Sequence, residues 1–195
     1  MKKLLSITFT FLVSLLLSGC FSDMLKPAEN HDAFYMLPIY NKAKKQKFAE
    51  VNMQVLSAPD YLKRPQIVVK AQEANGIGNV AISETHRWIE PISNGIARTL
   101  TANLESQGIL LFAYPALSDA QKANLKIYID DLIGSLGGDV VLNGKFQLHS
   151  GDKISTIEFN LTEKSADNSY ASYVDAIGKL IAKLSEKITK EVTKF

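Results

Sequence analysis

The segment that does most to decide the fold is Tyr173–Val192, which reads YVDAIGKLIAKLSEKITKEV. Its apolar side chains recur every three or four residues, so they share one face of a helix. That face consists of Tyr173, Ile177, Leu180, Ile181, Leu184, Ile188 and Val192. The opposite face is charged, with Lys179, Lys183, Glu186, Lys187 and Lys190. The pattern therefore predicts a long amphipathic helix that must pack on another apolar surface.

The surface for this helix is predicted just upstream of it. Residues 125–130, 140–148 and 157–162 alternate apolar with polar side chains, which is typical of strands with one buried face. Glycines and the turn at Ser150-Gly151-Asp152 separate them. We expect an antiparallel meander whose apolar face the C-terminal helix covers.

The first half of the chain adds strands and a second helix. Strands are predicted over residues 49–55, 66–71, 79–83 and 109–114, with an Asn75-Gly76 turn between the second and third. A helix is predicted after Pro91, with its apolar stripe on Ile92, Ile96, Leu100 and Leu104. Together these elements predict an α+β fold, a mainly antiparallel sheet with two long helices packed on one face.

The N-terminus has the three parts of a bacterial secretory signal. Lys2 and Lys3 precede an apolar run over residues 4–17, shorter than the about 20 residues that a membrane span needs. Leu17-Ser18-Gly19-Cys20 then has the form of a lipobox, and Cys20 is the only cysteine. The alternatives are an ordinary signal peptide with a cysteine nearby and an uncleaved anchor helix.

We therefore expect three parts in the chain. Residues 1–19 are predicted to be a lipoprotein signal peptide that is cleaved, and residues 20–33 an acylated cysteine with a flexible tether. Residues 34–195 are predicted to form a single α+β domain. Cys20 would carry covalent diacylglycerol and an N-acyl chain, and we expect no other cofactor.

Cleavage would also change the charge balance. The full chain has 22 Lys and Arg against 20 Asp and Glu, and the removed segment contains two lysines and no acid. The mature chain would be neutral, which gives no reason to expect nucleic-acid binding. Residue 21, directly after the cysteine, is Phe. In enteric bacteria an Asp at this position tends to retain lipoproteins at the inner membrane. We expect a lipid-anchored protein on the periplasmic face of the outer membrane.

Residues that could carry chemistry are sparse. Ser83, Glu84 and His86 bring a nucleophile, an acid and a base together in sequence, but the members of a catalytic triad rarely lie so close in a chain. His31, His86 and His149 are far apart and no second cysteine exists, so no metal site is expected. The residues by themselves predict a membrane-anchored binding or scaffold domain rather than an enzyme.

Two motifs carry a family resemblance. One is DYLKRPQIV at residues 60–68, and the other is SETHRWIEP at residues 83–91, which leads into the first helix. With FYMLP at residues 34–38 and the lipobox, they closely resemble the ABC-type transport auxiliary lipoproteins, among them the paraquat-inducible protein C family. The resemblance covers about residues 20–113 well, and the later strands and helix fit it in general pattern.

The resemblance implies a role between two membranes. Members of the family sit on the inner leaflet of the outer membrane and dock an inner-membrane MCE-domain protein, whose oligomer forms a tunnel for lipid across the periplasm. They can also form homo-oligomeric rings. The implied function is a non-catalytic lipoprotein that supports lipid transport and envelope integrity. Two alternatives remain, a structural envelope lipoprotein that binds peptidoglycan or other envelope proteins, and a lipid carrier with its own cavity.

The same motifs supply candidate partner-binding residues. They are Tyr61, Arg64, Gln66, His86, Arg87 and Trp88. Trp, Tyr and Arg dominate interface hot spots, and a guanidinium suits a carboxylate or a phosphate. The structural alternatives are a core position for Trp88, an ion pair for Arg64, and a brace before the helix for His86 and Arg87. Pro65 beside a strand start also predicts an edge strand that could accept a partner strand.

Overall fold

The structure, a computed structural model, describes residues 31–40, 49–71, 79–113 and 123–194. The expected signal peptide, Cys20, most of the tether and the Asn75-Gly76 turn lie outside these residues, so those interpretations stay predictions. Strand β1 begins at Ala33, and Asp32 pairs with Arg87 at 3.4 Å. The folded part therefore includes the last two residues of the predicted tether.

The described residues form eight strands and two long helices. The strands are β1 (Ala33–Tyr35), β2 (Ala49–Ser57), β3 (Gln66–Lys70), β4 (Val80–Trp88), β5 (Ile109–Ala113), β6 (Ala123–Gly134), β7 (Asp139–Ser150) and β8 (Lys153–Lys164). The helices are α1 (Ile92–Ser106) and α2 (Tyr170–Val192), and a 3-10 turn at Asp60–Lys63 precedes β3. Each predicted helix and strand is present, but β4 runs on to Trp88 where the sequence predicted its end at residue 83.

The strands divide between two sheets. One has the order β1-β4-β3, and the other has the order β5-β2-β6-β7-β8. Strands β6, β7 and β8 form the predicted antiparallel meander, whereas β2 runs parallel to both of its neighbours and β1 runs parallel to β4. Parallel neighbours need a long crossover connection, and between β2 and β5 the chain supplies one that includes α1. The α+β fold is confirmed, with its strands in two sheets and three of the pairings parallel.

Helix α2 lies where the sequence predicted it, on the meander. All seven apolar residues of the predicted stripe are buried, and the most exposed of them, Val192, is 8% exposed. They pack with inward side chains of β7 such as Phe146 and Leu148 in one continuous core. The helix begins three residues earlier than the stripe because the Ser169 hydroxyl accepts a hydrogen bond from the Ser172 N–H at 3.1 Å, which caps the first turn.

The chain after β1 lies directly on helix α2 at a glycine. A Cβ atom built on Gly178 would stand 2.5 Å from Cγ of Pro38, so only a residue without a side chain permits this approach. Gly95 in helix α1 is different, because its nearest neighbour would be Cδ1 of Leu37 at 3.4 Å. Both glycines lie within helices, but only Gly178 is in close contact with a rigid neighbour. Gly95 can therefore serve as the control for a substitution at Gly178.

We expect Gly178→Ala to lower the free energy of unfolding by about 1–3 kcal/mol, because the new methyl group overpacks the contact with the rigid Pro38 ring. Gly95→Ala should be neutral or stabilise by up to about 1 kcal/mol, since alanine favours a helix and fits the space. Denaturant unfolding of the two purified variants measures both changes. Equal effects of the two substitutions would contradict the close contact at Gly178.

Candidate functional site

The family motifs, separate in sequence, form one sheet in space. Gln66 of the first motif pairs with Arg87 of the second, and the Trp88 N–H donates to the Pro65 carbonyl at 2.7 Å. On the other side of β4, Tyr35 of the FYMLP segment pairs in register with Trp88. The structure therefore brings all six candidate residues to the three-stranded sheet and the 3-10 turn that leads into it.

Tyr61 fastens this turn to the large sheet. Its hydroxyl donates to Oδ1 of Asp131 at 2.5 Å and accepts from the backbone N–H of Leu132 at 2.8 Å. The pKa of Tyr61 is raised above its ordinary value, mainly by burial and secondly by the hydrogen bond to the Asp131 carboxylate. The hydroxyl therefore stays protonated in the fold. These bonds favour a structural role for Tyr61, between the 3-10 turn and β6.

Trp88 lies in the core. Its side chain is 7% exposed and belongs to the same apolar cluster as the helix stripes. A partner could not reach the indole without moving the sheet, so its place favours the core interpretation over the hot-spot interpretation.

His86 is held inside a stack of aromatic rings. Its ring lies 3.9 Å from that of Tyr170 and 5.7 Å from that of Tyr35, centroid to centroid. Its Nδ1 is 3.2 Å from the Ser83 hydroxyl and 3.1 Å from the Thr85 hydroxyl. The stack joins β1, β4 and the first residue of α2, so His86 contacts α2 rather than the turn before α1 where the sequence predicted its brace.

The Ser83–His86 contact belongs to a local turn within β4. The Ser83 hydroxyl already accepts the His86 backbone N–H at 2.9 Å, and Ser83 is 7% exposed. Within the described residues no carboxylate bonds to the imidazole, whereas a triad needs one to orient the ring. The contact is a local side-chain to backbone turn of the kind that serine commonly forms.

The two arginines differ in what they touch. Arg87 pairs with Asp32 at 3.4 Å and donates to the Glu84 carbonyl at 3.1 Å, so its charge is balanced within the sheet. Arg64 is exposed, and no side-chain hydrogen bond or ion pair ties it to the rest of the described chain. Gln66, half-buried beside it, has no side-chain partner there either. Arg64 and Gln66 are therefore the two candidates that the fold leaves available.

Strand β3 lies at the edge of its sheet, as Pro65 predicted. Its free side is already in use, because the Tyr173 hydroxyl of α2 donates to the Val68 carbonyl at 3.2 Å. Ile67, Val68 and Val69 are also buried. Addition of a partner strand here would have to displace helix α2, which disfavours that hypothesis.

Other kinds of site find little support in the part of the chain that the structure describes. No three His, Cys, Asp or Glu side chains there are grouped closely enough to hold a metal ion. No helix among the same residues has the length and apolar character to cross a membrane. A cleft of about 320 Å³ lies between the end of β2, the 3-10 turn and α1, and its lining combines apolar residues such as Val55 and Leu62 with polar ones such as Lys63 and Ser93.

Comparison with known proteins identifies relatives of the whole domain. The family model of the ABC-type transport auxiliary lipoprotein component matches residues 37–189, which confirms the resemblance carried by the motifs. The intermembrane transport lipoprotein PqiC of Escherichia coli strain K12 is 22% identical over 190 residues, 94% of this chain and 96% of that protein. PqiC of Shigella flexneri matches to the same extent.

Solved structures share the fold. A crystal structure of an uncharacterized protein superposes with a TM-score of 0.65 at 23% identity, over 83% of this chain and 98% of that one. A Xanthomonas campestris protein of the DUF330 family gives a TM-score of 0.59 at 15% identity, over 80% and 92% of the two chains. At these identities the likeness shows the architecture, two sheets with two helices.

We expect Tyr61→Phe to lower the free energy of unfolding by about 1–3 kcal/mol, because it leaves the buried Leu132 N–H without an acceptor. The control is Tyr128→Phe, whose hydroxyl makes only a 3.4 Å contact with Gln147 and should cost less than about 0.5 kcal/mol. Denaturant unfolding compares the two, and equal losses would contradict the role given to Tyr61.

Proposed function

This chain belongs to the ABC-type transport auxiliary lipoproteins, and from that premise we propose that it docks an MCE-domain protein and supports lipid transport between the membranes. The observation that carries the proposal is the match over 94% of this chain to PqiC, named an intermembrane transport lipoprotein. A role in transport across the envelope follows from the family, and the MCE-domain partner and the lipid cargo are the proposed part.

The described fold favours docking over carrying or catalysis. Two helices cover the buried side of the large sheet. The side chains of the helices and the sheet form one continuous core rather than the wall of a cavity. Ser83 and His86 are engaged in local bonds, and the family is one of transport components rather than a known class of enzyme. We therefore propose that the domain acts by binding, without chemistry of its own.

The anchor would place the domain at the periplasmic face of the outer membrane. Each acyl CH₂ buried in lipid contributes about 0.8 kcal/mol, so one chain binds marginally and several hold firmly. Acylated Cys20 would carry more than one chain. The segment from Cys20 to Ala33 then reaches at most about 45 Å when extended. The domain would thus stay close to the bilayer, where the end of a tunnel would meet it.

Arg64 and Gln66 mark the surface that we assign to docking. Both lie at the start of β3, where Pro65 is exposed as well. A guanidinium that has no partner among the described residues, such as that of Arg64, can bind a carboxylate in a bidentate pair. We also propose that several copies form a homo-oligomeric ring, which would present this corner repeatedly to an oligomeric tunnel.

The test of the proposal is capture of the full chain, tagged at its C-terminus, from chemically crosslinked cell envelopes, with partners identified by mass spectrometry. Recovery of an MCE-domain protein supports docking. Recovery of only peptidoglycan-associated or other envelope proteins would favour the structural lipoprotein, the alternative function that the sequence left open.

We expect Arg64→Glu to reduce the recovered MCE-domain protein several-fold, because a reversed charge repels the carboxylate that the arginine would bind. The matched control is Lys153→Glu, a charge reversal at another exposed residue, at the start of β8 in the other sheet. Both variants should unfold like the parent protein. Unchanged capture by Arg64→Glu would remove this corner from the docking surface.

For Cys20→Ala we expect loss of membrane retention with the fold intact, because the acyl chains have no other attachment. Fractionation in cells that lack the MCE-domain protein measures this without help from the partner. The variant should move to the soluble periplasmic fraction. Its persistence in the outer-membrane fraction after a salt wash would contradict the anchor.

A further inference from the structure

The outer face of the three-stranded sheet carries several exposed apolar side chains. Tyr35 and Trp88 pair in register and turn into the core. Because successive side chains on a strand point to opposite faces, Phe34 and Arg87 point outward. The ladder continues through the Ile89 N–H, which donates to the Tyr35 carbonyl at 3.0 Å, so Ile89 also points outward.

Two further residues extend this face along β4. Val69 of β3 belongs to the core, and the pairs on either side of it are Val68 with Ile82 and Lys70 with Val80. Ile82 and Val80 therefore point away from the core. Together with Met36, which alternates with the buried Leu37, they define what we call the apolar face. Its members are Phe34, Met36, Val80, Ile82 and Ile89.

These five side chains are largely exposed, between 46% for Ile82 and 59% for Phe34. Among the described residues only two other large hydrophobic side chains are comparably exposed, Tyr40 and Ile154. The Tyr40 hydroxyl bonds to the Asp175 carboxylate, and Ile154 stands apart on β8. Large exposed apolar side chains concentrated on one small sheet mark a surface that contacts something.

We propose that the apolar face rests on the bilayer to which the chain is tethered. The inference rests on the anchor at Cys20, which is part of the proposed function. The predicted tether leads directly into this sheet, since Ala33 opens β1 and Phe34, the next residue, belongs to the apolar face. A tether of the predicted length, residues 20–33, would span about 20 Å on average, so the anchor would hold this sheet near lipid at high effective concentration.

The chemistry of the face fits the boundary between headgroups and acyl chains. Phe and Ile are side chains that bury at this depth in interfacial proteins, and Met adapts to irregular surroundings. Two cations lie on this face, Arg87, which is balanced by Asp32, and Lys70, which pairs with Val80. Lys70 is exposed, and so is Glu84, which carries the opposite charge. We therefore expect contact that depends on apolar burial and changes little with salt or with anionic lipid.

The test places a probe at the apolar face of the full acylated protein in vesicles of neutral phospholipid. Acylation occupies the thiol of Cys20, so Met36→Cys introduces one reactive position for an environment-sensitive fluorophore. The matched control is Ile154→Cys, 65% exposed on β8. We expect a blue-shifted emission at position 36 and quenching by nitroxide-labelled lipid that is several-fold stronger than at position 154.

The outcomes separate the contact from the anchor. If the protein floats with the vesicles but both probes are quenched equally weakly, the anchor stands and the bilayer contact is overturned. If the protein does not float and two fluorophores attach to each chain, Cys20 is not acylated and both proposals fall. A blue shift at position 36 that grows with protein density, without nitroxide quenching, would assign the face to a second copy and overturn the bilayer contact.

Discussion

The fold depends on the burial of helix α2. Its apolar stripe closes the core of the large sheet, and each side of the helix also fastens another part of the chain. The Tyr173 hydroxyl reaches the Val68 carbonyl of the small sheet. Ser185 accepts from the Gln107 amide at the end of α1 at 2.9 Å, and Gly178 lies against Pro38. A single helix thus positions both sheets.

Helix α2 also protects the longest open edge among the described strands. Lys187 and Lys183, one turn apart, donate to the carbonyls of Glu158 and Thr162 on β8, at 2.9 and 3.0 Å. An edge strand presents unpaired backbone groups that invite pairing with another chain. Because the lysines occupy two of these carbonyls, this half of the edge is closed to an added strand, and docking is more simply made with side chains elsewhere.

The small sheet combines three features on which the proposals rest. It is built from the segments that resemble the family, it carries Arg64 and Gln66 at one corner, and its first strand continues from the expected tether. Several side chains of the motifs are buried or bonded within the fold, as Trp88 and Tyr61 illustrate. The groups available to a partner or to lipid are the exposed side chains beside these two residues.

Local patterns predicted the elements well and their pairing poorly. The stripe from Tyr173 to Val192 and the alternation over residues 125–162 follow directly from side-chain periodicity, and both are present. The two sheets were not predictable, because parallel pairing of β2 with β5 and β6 depends on contacts between distant segments. The pairing of β3 with β4 shifts register between Gln66 and Val68. Because this shift interrupts the alternation of side chains along β4, residues 84–88 lack a period-two pattern and the sequence predicted that β4 ends at residue 83.

Sequence also named the candidate residues without their roles. Hot-spot chemistry selects Trp88 and Tyr61 as readily as Arg64, because burial is a property of the whole fold and not of the residue type. The apolar face had no clear signal, since Phe34, Met36 and Ile89 lie in segments that read as ordinary hydrophobic core.

Docking is the central claim, and reconstitution tests it most directly. The full acylated protein would be placed in vesicles and mixed with the purified periplasmic oligomer of the MCE-domain protein from the same cells, and bound oligomer would be measured by flotation. We expect saturable co-flotation with vesicles that carry the protein and none with bare vesicles. Absence of co-flotation at saturating amounts of both proteins would contradict the docking function.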